Sequence, residues 1–278
     1  PPVVAALAKH GRPVRPAKRK RAARTDLDAL YAEIVAAPED DAPRMVYADA
    51  LLERGDSRGT FIQAQLAAPA DPKAGATILR KDEKQWIGDV ARISKNRVWR
   101  RGFLDELQLL QGAVADPETW QRATTNPALA TLRTLHKETA SEALYATFVN
   151  SRTLVNLRDF EVPSRKFAEH LVRLARPGIT HLELGFRISA ESLALVDQLV
   201  ARLGVTRFAI MTAHDVPASL DIVEHWANRT QLTELTLVPV PGRFQDWRAG
   251  APTWLAATKR LGIPRLGAFA YDTRMFSS

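Results

Sequence analysis

The residues best suited to chemistry in this chain are its six histidines, His10, His136, His170, His181, His214 and His225. None belongs to an H-E-x-x-H pair, the spacing that sets two imidazoles on one helical face around zinc. His181-x-Glu183 is a single couple, and His214 beside Asp215 reads as a loop pair and not as half of a triad. With no cysteine in the chain, thiolate nucleophiles, disulfides and Cys-based zinc or iron–sulfur sites are excluded together. There is no G-x-G-x-x-G, no glycine loop ending in Lys-Ser/Thr, and no G-x-S-x-G elbow. The expectation is a protein that is not an enzyme and holds no metal or cofactor.

Charge is the next source of chemistry, and it is unevenly placed. The formal net charge is +8, from 39 Lys+Arg against 31 Asp+Glu. Residues 1–25 contain Lys9, Arg12, Arg15, Lys18, Arg19, Lys20, Arg21 and Arg24 without one acid, so the remainder is balanced. With four prolines and a like-charge run, residues 1–24 read as a flexible tail or linker. Lys18, Arg19, Lys20 and Arg21 would attract nucleic acid, which gives one candidate partner. No run of about eighteen apolar residues and no secretory apolar block occurs, so a cytoplasmic protein without a membrane partner is expected.

The elements that would carry any site begin at Thr25. Leu27, Leu30, Tyr31 and Ile34 recur at helical spacing, Pro43 opens a second helix that stops near Gly55, and Phe61, Ile62, Gln65 and Leu66 mark a third. The stretch from Ala67 to Gly75 reads as a loop before a helix around Trp86 to Ile93. Arg44, Asp49, Arg54, Asp56 and Arg58 are suited to a polar network fixing the turns between these helices.

The run Asp40-Asp41-Ala42-Pro43-Arg44-Met45-Val46-Tyr47-Ala48-Asp49, then Glu53 to Gly59, Phe61-Ile62, Trp86 and Trp99 to Glu106, resembles the bacterial repeat-companion domain family over residues 26–110. It departs from that pattern at Ala50 and Thr60, where tryptophan and glutamate are common. The resemblance implies an accessory or capping module beside a repeat segment and brings no catalytic role.

Downstream, a leucine framework recurs: Leu104-x-x-Leu107-x-Leu109, Leu129-x-x-Leu132, Leu154-x-x-Leu157, Ile179-x-x-Leu182-x-Leu184, Val205-x-x-Phe208-x-Ile210, Leu232-x-x-Leu235-x-Leu237 and Ile263-x-x-Leu266-x-Ala268. The step is about 25 residues, that of leucine-rich repeats. The fold class expected is therefore an α/β repeat solenoid, leucine-rich-repeat-like, with an N-terminal α-helical cap module. Its segments are a tail over 1–24, a helical module over 25–102, and a solenoid of six to seven repeats over 103–278. An ordinary α/β sheet packed by helices satisfies the same period. No asparagine ladder follows the framework, and Leu135 and Phe160 suggest a register change in the second and third units.

Strand alternation then yields candidate binding columns. Leu110, Leu135, Phe160, Met211, Val238 and Phe269 form an apolar one, bordered by the polar residues Arg133, Arg158, His181 and Arg207. Such a stripe would suit a protein partner, so the functional expectation is a non-catalytic protein–protein interaction scaffold. A register-shifted core is the other reading of the same stripe.

Overall fold

The computed structural model describes residues 26–67, 72–110, 116–137, 141–174, 178–186, 190–212, 225, 233–239, 256 and 266–268. Helix boundaries follow local chemistry. Asp26 caps α1 (Leu27–Ala36) by accepting from the Asp28 and Ala29 amides. Pro43 lies in the first turn of α2 (Ala42–Leu52), where its missing N–H costs nothing. Gly55, at φ +75°, turns the chain into α3 (Ser57–Leu66), capped by Asp56. The expected loop from Ala67 to Gly75 is shorter, because α4 (Pro72–Ile87) starts at a proline and brings Ile78, Leu79 and Trp86 against the core. A short α5 (Val90–Ile93) leads into the sheet.

Among the described residues the sheet has eight strands in chain order: β1 (Ser94–Arg100), β2 (Phe103–Leu109), β3 (Thr134–Lys137), β4 (Asp159–Val162), β5 (His181–Leu184), β6 (Arg207–Thr212), β7 (Glu234–Pro239) and β8 (Leu266–Ala268). Of these described strands only β1 and β2 pair antiparallel; every later pairing is parallel. The crossovers carry α6 (Pro117–Thr124), a 3₁₀ turn over Pro127–Thr131, α7 (Glu142–Val149), α8 (Arg165–Leu174) and α9 (Ala190–Leu203). Asp116 and Ser141 cap α6 and α7 through the Thr119 and Leu144 amides.

One hydrophobic core runs from Phe61, Ile87, Val90 and Ile93 of the helical segment to Phe208 of β6. A smaller one joins Ile34, Tyr47, Leu51 and Ile62 to Phe103 of β2. Phe61, Trp86 and Trp99 meet with ring centroids 5.3–5.7 Å apart. Glu83 on α4 accepts from Arg97 Nε and Nη2 and from Trp99 Nε1, at 2.8–2.9 Å. Burial pushes its carboxyl upward, but the Arg97 and Trp99 hydrogen bonds outweigh that and hold it below its ordinary value.

These findings correct the expected fold class: the chain is an α/β fold with a mostly parallel sheet packed by helices, and not a clear solenoid. In a solenoid each unit touches only its neighbours and the register repeats. Here β1 comes from the helical segment and pairs with β2, so the boundary expected at residue 102 falls in the turn of a hairpin. Contacts also skip units, since Tyr31 Oη donates to Pro127 O and Asn156 Nδ2 donates to Val35 O. Register does not repeat either: Leu107 faces Leu135, not Leu132, and Leu182 faces Phe160, not Leu157. Leu132 and Leu157 are buried in the turns before their strands. The leucine period reports β–α unit length, which any such sheet shares.

The hairpin turn is the tightest backbone feature of the junction. Arg101 and Gly102 have φ of +52° and +82°, the two left-handed residues of a two-residue hairpin. Gly102 N donates to Gln65 Oε1 at 2.6 Å, and a Cβ on Gly102 would stand 2.2 Å from Ile62 Cγ1. Gly102→Ala should therefore destabilise the protein by about 2–4 kcal/mol, read as a lower urea midpoint; an unchanged midpoint would show that α3 does not rest on the turn.

Candidate functional site

Because side chains alternate along a strand, the core row Leu107, Leu135, Phe160, Leu182 and Phe208 leaves the residues on either side of it for the opposite face. In register these are Glu106, Thr134, Asp159, His181, Arg207 and Glu234, all half-buried. A second line holds Gln108 and His136, then Glu161 and Glu183. Arg207 Nη2 reaches across β5 to Asp159 Oδ1 at 2.8 Å, bracketing His181. Burial lowers the His181 imidazole first, Asp159 opposes this and Arg207 adds to it, leaving it below its ordinary value.

Glu161 and Glu183 are direct partners on β4 and β5. Gly185 leaves room for Glu161, whose Oε1 lies 2.8 Å from where a Cβ would be. Desolvation and then the Glu183 charge push the Glu161 carboxyl up to about 7, against Lys137. Behind the strand, Tyr145 Oη donates to Glu161 O at 2.9 Å, and burial pushes that phenol well above its ordinary value.

At the hairpin end, guanidinium groups converge from three elements. Arg44 belongs to α2, Arg100 and Arg101 to the end of β1 and its turn, and Arg133 precedes β3. Asp105 is shared by Arg100 and Arg133; Glu39 is shared by Arg101 and Arg133. Arg44 donates to Pro38 O and Asp40 O and lies 5.4 Å from the Phe103 ring centroid. Arg44, Arg100, Arg101, Phe103, Asp105 and Arg133 are among the residues lining a small cleft there.

Of the remaining motif residues, Asp49 accepts from Gln63, Asp56 caps α3, and Arg58 lies over the Phe103 ring. No protein-family model, curated protein or solved structure matches this chain. The repeat-companion likeness thus rests on its motif residues. Those residues build the hairpin junction, since Tyr47 and Phe103 share one core and Phe61, Trp86 and Trp99 the other.

The expected binding residues divide. Leu135 and Phe160 are core, 0% and 4% exposed, which corrects their assignment to a binding groove. The displacement from the expected register is three residues, an odd number, and an odd slip exchanges the faces of a strand. Leu110 is half-buried just past β2, and Arg158 is exposed just before β4. Arg133 belongs to the arginine cleft, while His181 and Arg207 stand together on the polar face. Met211 and Val238 are backbone partners on β6 and β7. Phe269, Lys18, Arg19, Lys20 and Arg21 lie outside the described residues. Sequence reasoning missed Asp159 and Glu161 because its frame for β4 was displaced, and it missed the cleft because its members are far apart in sequence. Among the described residues, no three His, Asp or Glu side chains gather as a metal site.

Two outcomes follow for stability. Phe160→Ser should cost as much as Leu182→Ser, roughly 2–5 kcal/mol, and a near-wild-type melt for Phe160→Ser would return that residue to the surface. A carboxyl raised from 4.5 to about 7 on folding stabilises the fold fully below the unfolded value and loses that contribution as pH rises through about 7. Glu161→Gln should accordingly raise the melting temperature more at pH 8 than at pH 5; a pH-independent effect would contradict its burial beside Glu183.

Proposed function

We propose that the chain is a non-catalytic interaction protein that takes a protein partner against the polar face of its sheet. The observation that carries this reading is the continuous half-buried row from Glu106 through Asp159, His181 and Arg207 to Glu234. It supplies donors and acceptors at strand spacing, with the Asp159–Arg207 pair holding its centre in place. A mixed polar face on rigid strands suits directional recognition of another protein surface. The motif likeness to the repeat-companion family supports an accessory part for the helical segment. Among the described residues no helix is long and apolar enough to cross a membrane.

Affinity capture with the full chain, a chain lacking residues 1–24, and His181→Glu paired with Arg207→Glu tests this. The same protein should be retained by the first two and lost from the third, with melts showing the third still folded. Retention that disappears only with residues 1–24, together with salt-sensitive nucleic-acid binding, would transfer the function to the basic segment.

A further inference from the structure

The second helix presents an apolar stripe to solvent. Of the six large apolar side chains that stand exposed among the described residues, Met45, Val46 and Leu52 all lie on α2, at 52%, 51% and 37%. With Asp49 and Glu53, also exposed, they follow the i, i+1, i+4, i+7, i+8 spacing of one helical face. The opposite face, Tyr47, Ala48 and Leu51, is the one packed against Ile34 of α1 and Ile62 of α3. The core therefore makes no use of the stripe.

The same helices hold an excess of acid that the fold does not absorb. Residues 26–60 contain nine acids against three arginines. Glu39 and Asp41 are taken up by Arg101 and Arg133. Asp26, Asp40 and Asp56 accept from backbone amides at helix starts. Asp28, Glu33, Asp49 and Glu53 are left as exposed carboxylates with no cationic partner among the described residues; Asp49 accepts only from the neutral Gln63.

Residues 1–24 complement this surface in both respects. They carry eight cations and no acid between Lys9 and Arg24, with Val3, Val4 and Leu7 ahead of them. They lead to Asp26, the N-cap of α1, whose Leu27 and Leu30 pack in the core that Tyr47 and Leu51 of α2 share. The link from Leu7 to Asp26 spans roughly 60 Å when extended, and α2 is about 16 Å long, so reach sets no limit. Attachment to the same chain keeps the segment near α2 at an effective concentration on the order of millimolar. Exposed ion pairs alone contribute little; charge steers the segment, and apolar contact holds it.

We propose that residues 1–24 dock on the exposed face of α2. Val3, Val4 and Leu7 cover Met45, Val46 and Leu52, while the cations face Asp28, Glu33, Asp49 and Glu53. The segment's charge is then taken up within the molecule, and the polar face of the sheet is left for a partner.

Because the chain has no cysteine, Met45→Cys reports this cover directly in the full chain. N-ethylmaleimide should label it at least tenfold more slowly than it labels the same variant carrying Lys18→Glu, Arg19→Glu, Lys20→Glu and Arg21→Glu. Added carboxylates by themselves raise a nearby thiol and slow its reaction, so faster labelling reports uncovering. Val155→Cys, 60% exposed between α7 and β4, should label at one rate in both backgrounds. If a cysteine variant does not fold, trypsin cleavage within residues 9–24 decides. It should be several-fold faster in Asp49→Lys combined with Glu53→Lys than in the unaltered chain, and unchanged in Glu118→Lys combined with Glu169→Lys, both exposed elsewhere. Equal labelling of Met45→Cys in the two backgrounds, no gain in cleavage with the α2 pair, or an equal gain with the control pair would each overturn the proposal. So would protection that falls on dilution, as cover by a second copy would.

Discussion

Everything else in this structure depends on one row of side chains, Leu107, Leu135, Phe160, Leu182 and Phe208, aligned across five neighbouring strands and buried together. Burying each is worth about 1.5–3 kcal/mol relative to exposure, enough to fix the register of strands only four residues long. Once that row faces the helices, its neighbours have no choice of face. Asp159, His181 and Arg207 are brought side by side, and Glu161 is forced against Glu183. The like-charge pair is a consequence of the register, and the raised Glu161 carboxyl is how the fold accommodates it.

The hairpin of β1 and β2 extends the same constraint to the N-terminal helices. Phe61 and Ile62 are adjacent on α3 yet enter different cores, so the helix is wedged between the aromatic cluster under the sheet and the Tyr47–Phe103 cluster. Glu83, Arg97 and Trp99 join α4 to β1, and Gln65 joins α3 to the turn. Helical segment and sheet are consequently one packed body across this junction. The converging arginines are placed by that packing: the turn fixes Arg100 and Arg101, while α2 supplies Arg44.

Much of this was legible in the sequence where a local rule operates. Proline at the start of α2 and Gly55 after it mark the bounds of that helix, and the leucine period locates β2 and β5 to β8. Columns through His181, Arg207 and Glu234 were also correct, because Leu182, Phe208 and Leu235 are simple framework positions. The frame failed at β3 and β4. There Leu129, Leu132, Leu154 and Leu157 are buried in the approach to the strand and mimic the framework. Burial of Asn156, which donates to Val35 O and Ala130 O, shows how that approach is tied down by contacts far away in sequence. Nor does any local signal announce that residues 44, 101 and 133 meet, since only the completed junction brings them together.

The register of β3 and β4 is the central claim, and the absence of native cysteine makes it directly measurable. Single substitutions Thr134→Cys, Leu135→Cys, Asp159→Cys and Phe160→Cys can each be exposed to a thiol reagent in the folded protein and again in denaturant. The account requires rapid labelling of the folded protein at 134 and 159, with 135 and 160 protected until unfolding. Rapid labelling at 135 and 160 with protection at 134 and 159 would contradict it, and with it the polar face on which the proposed function rests.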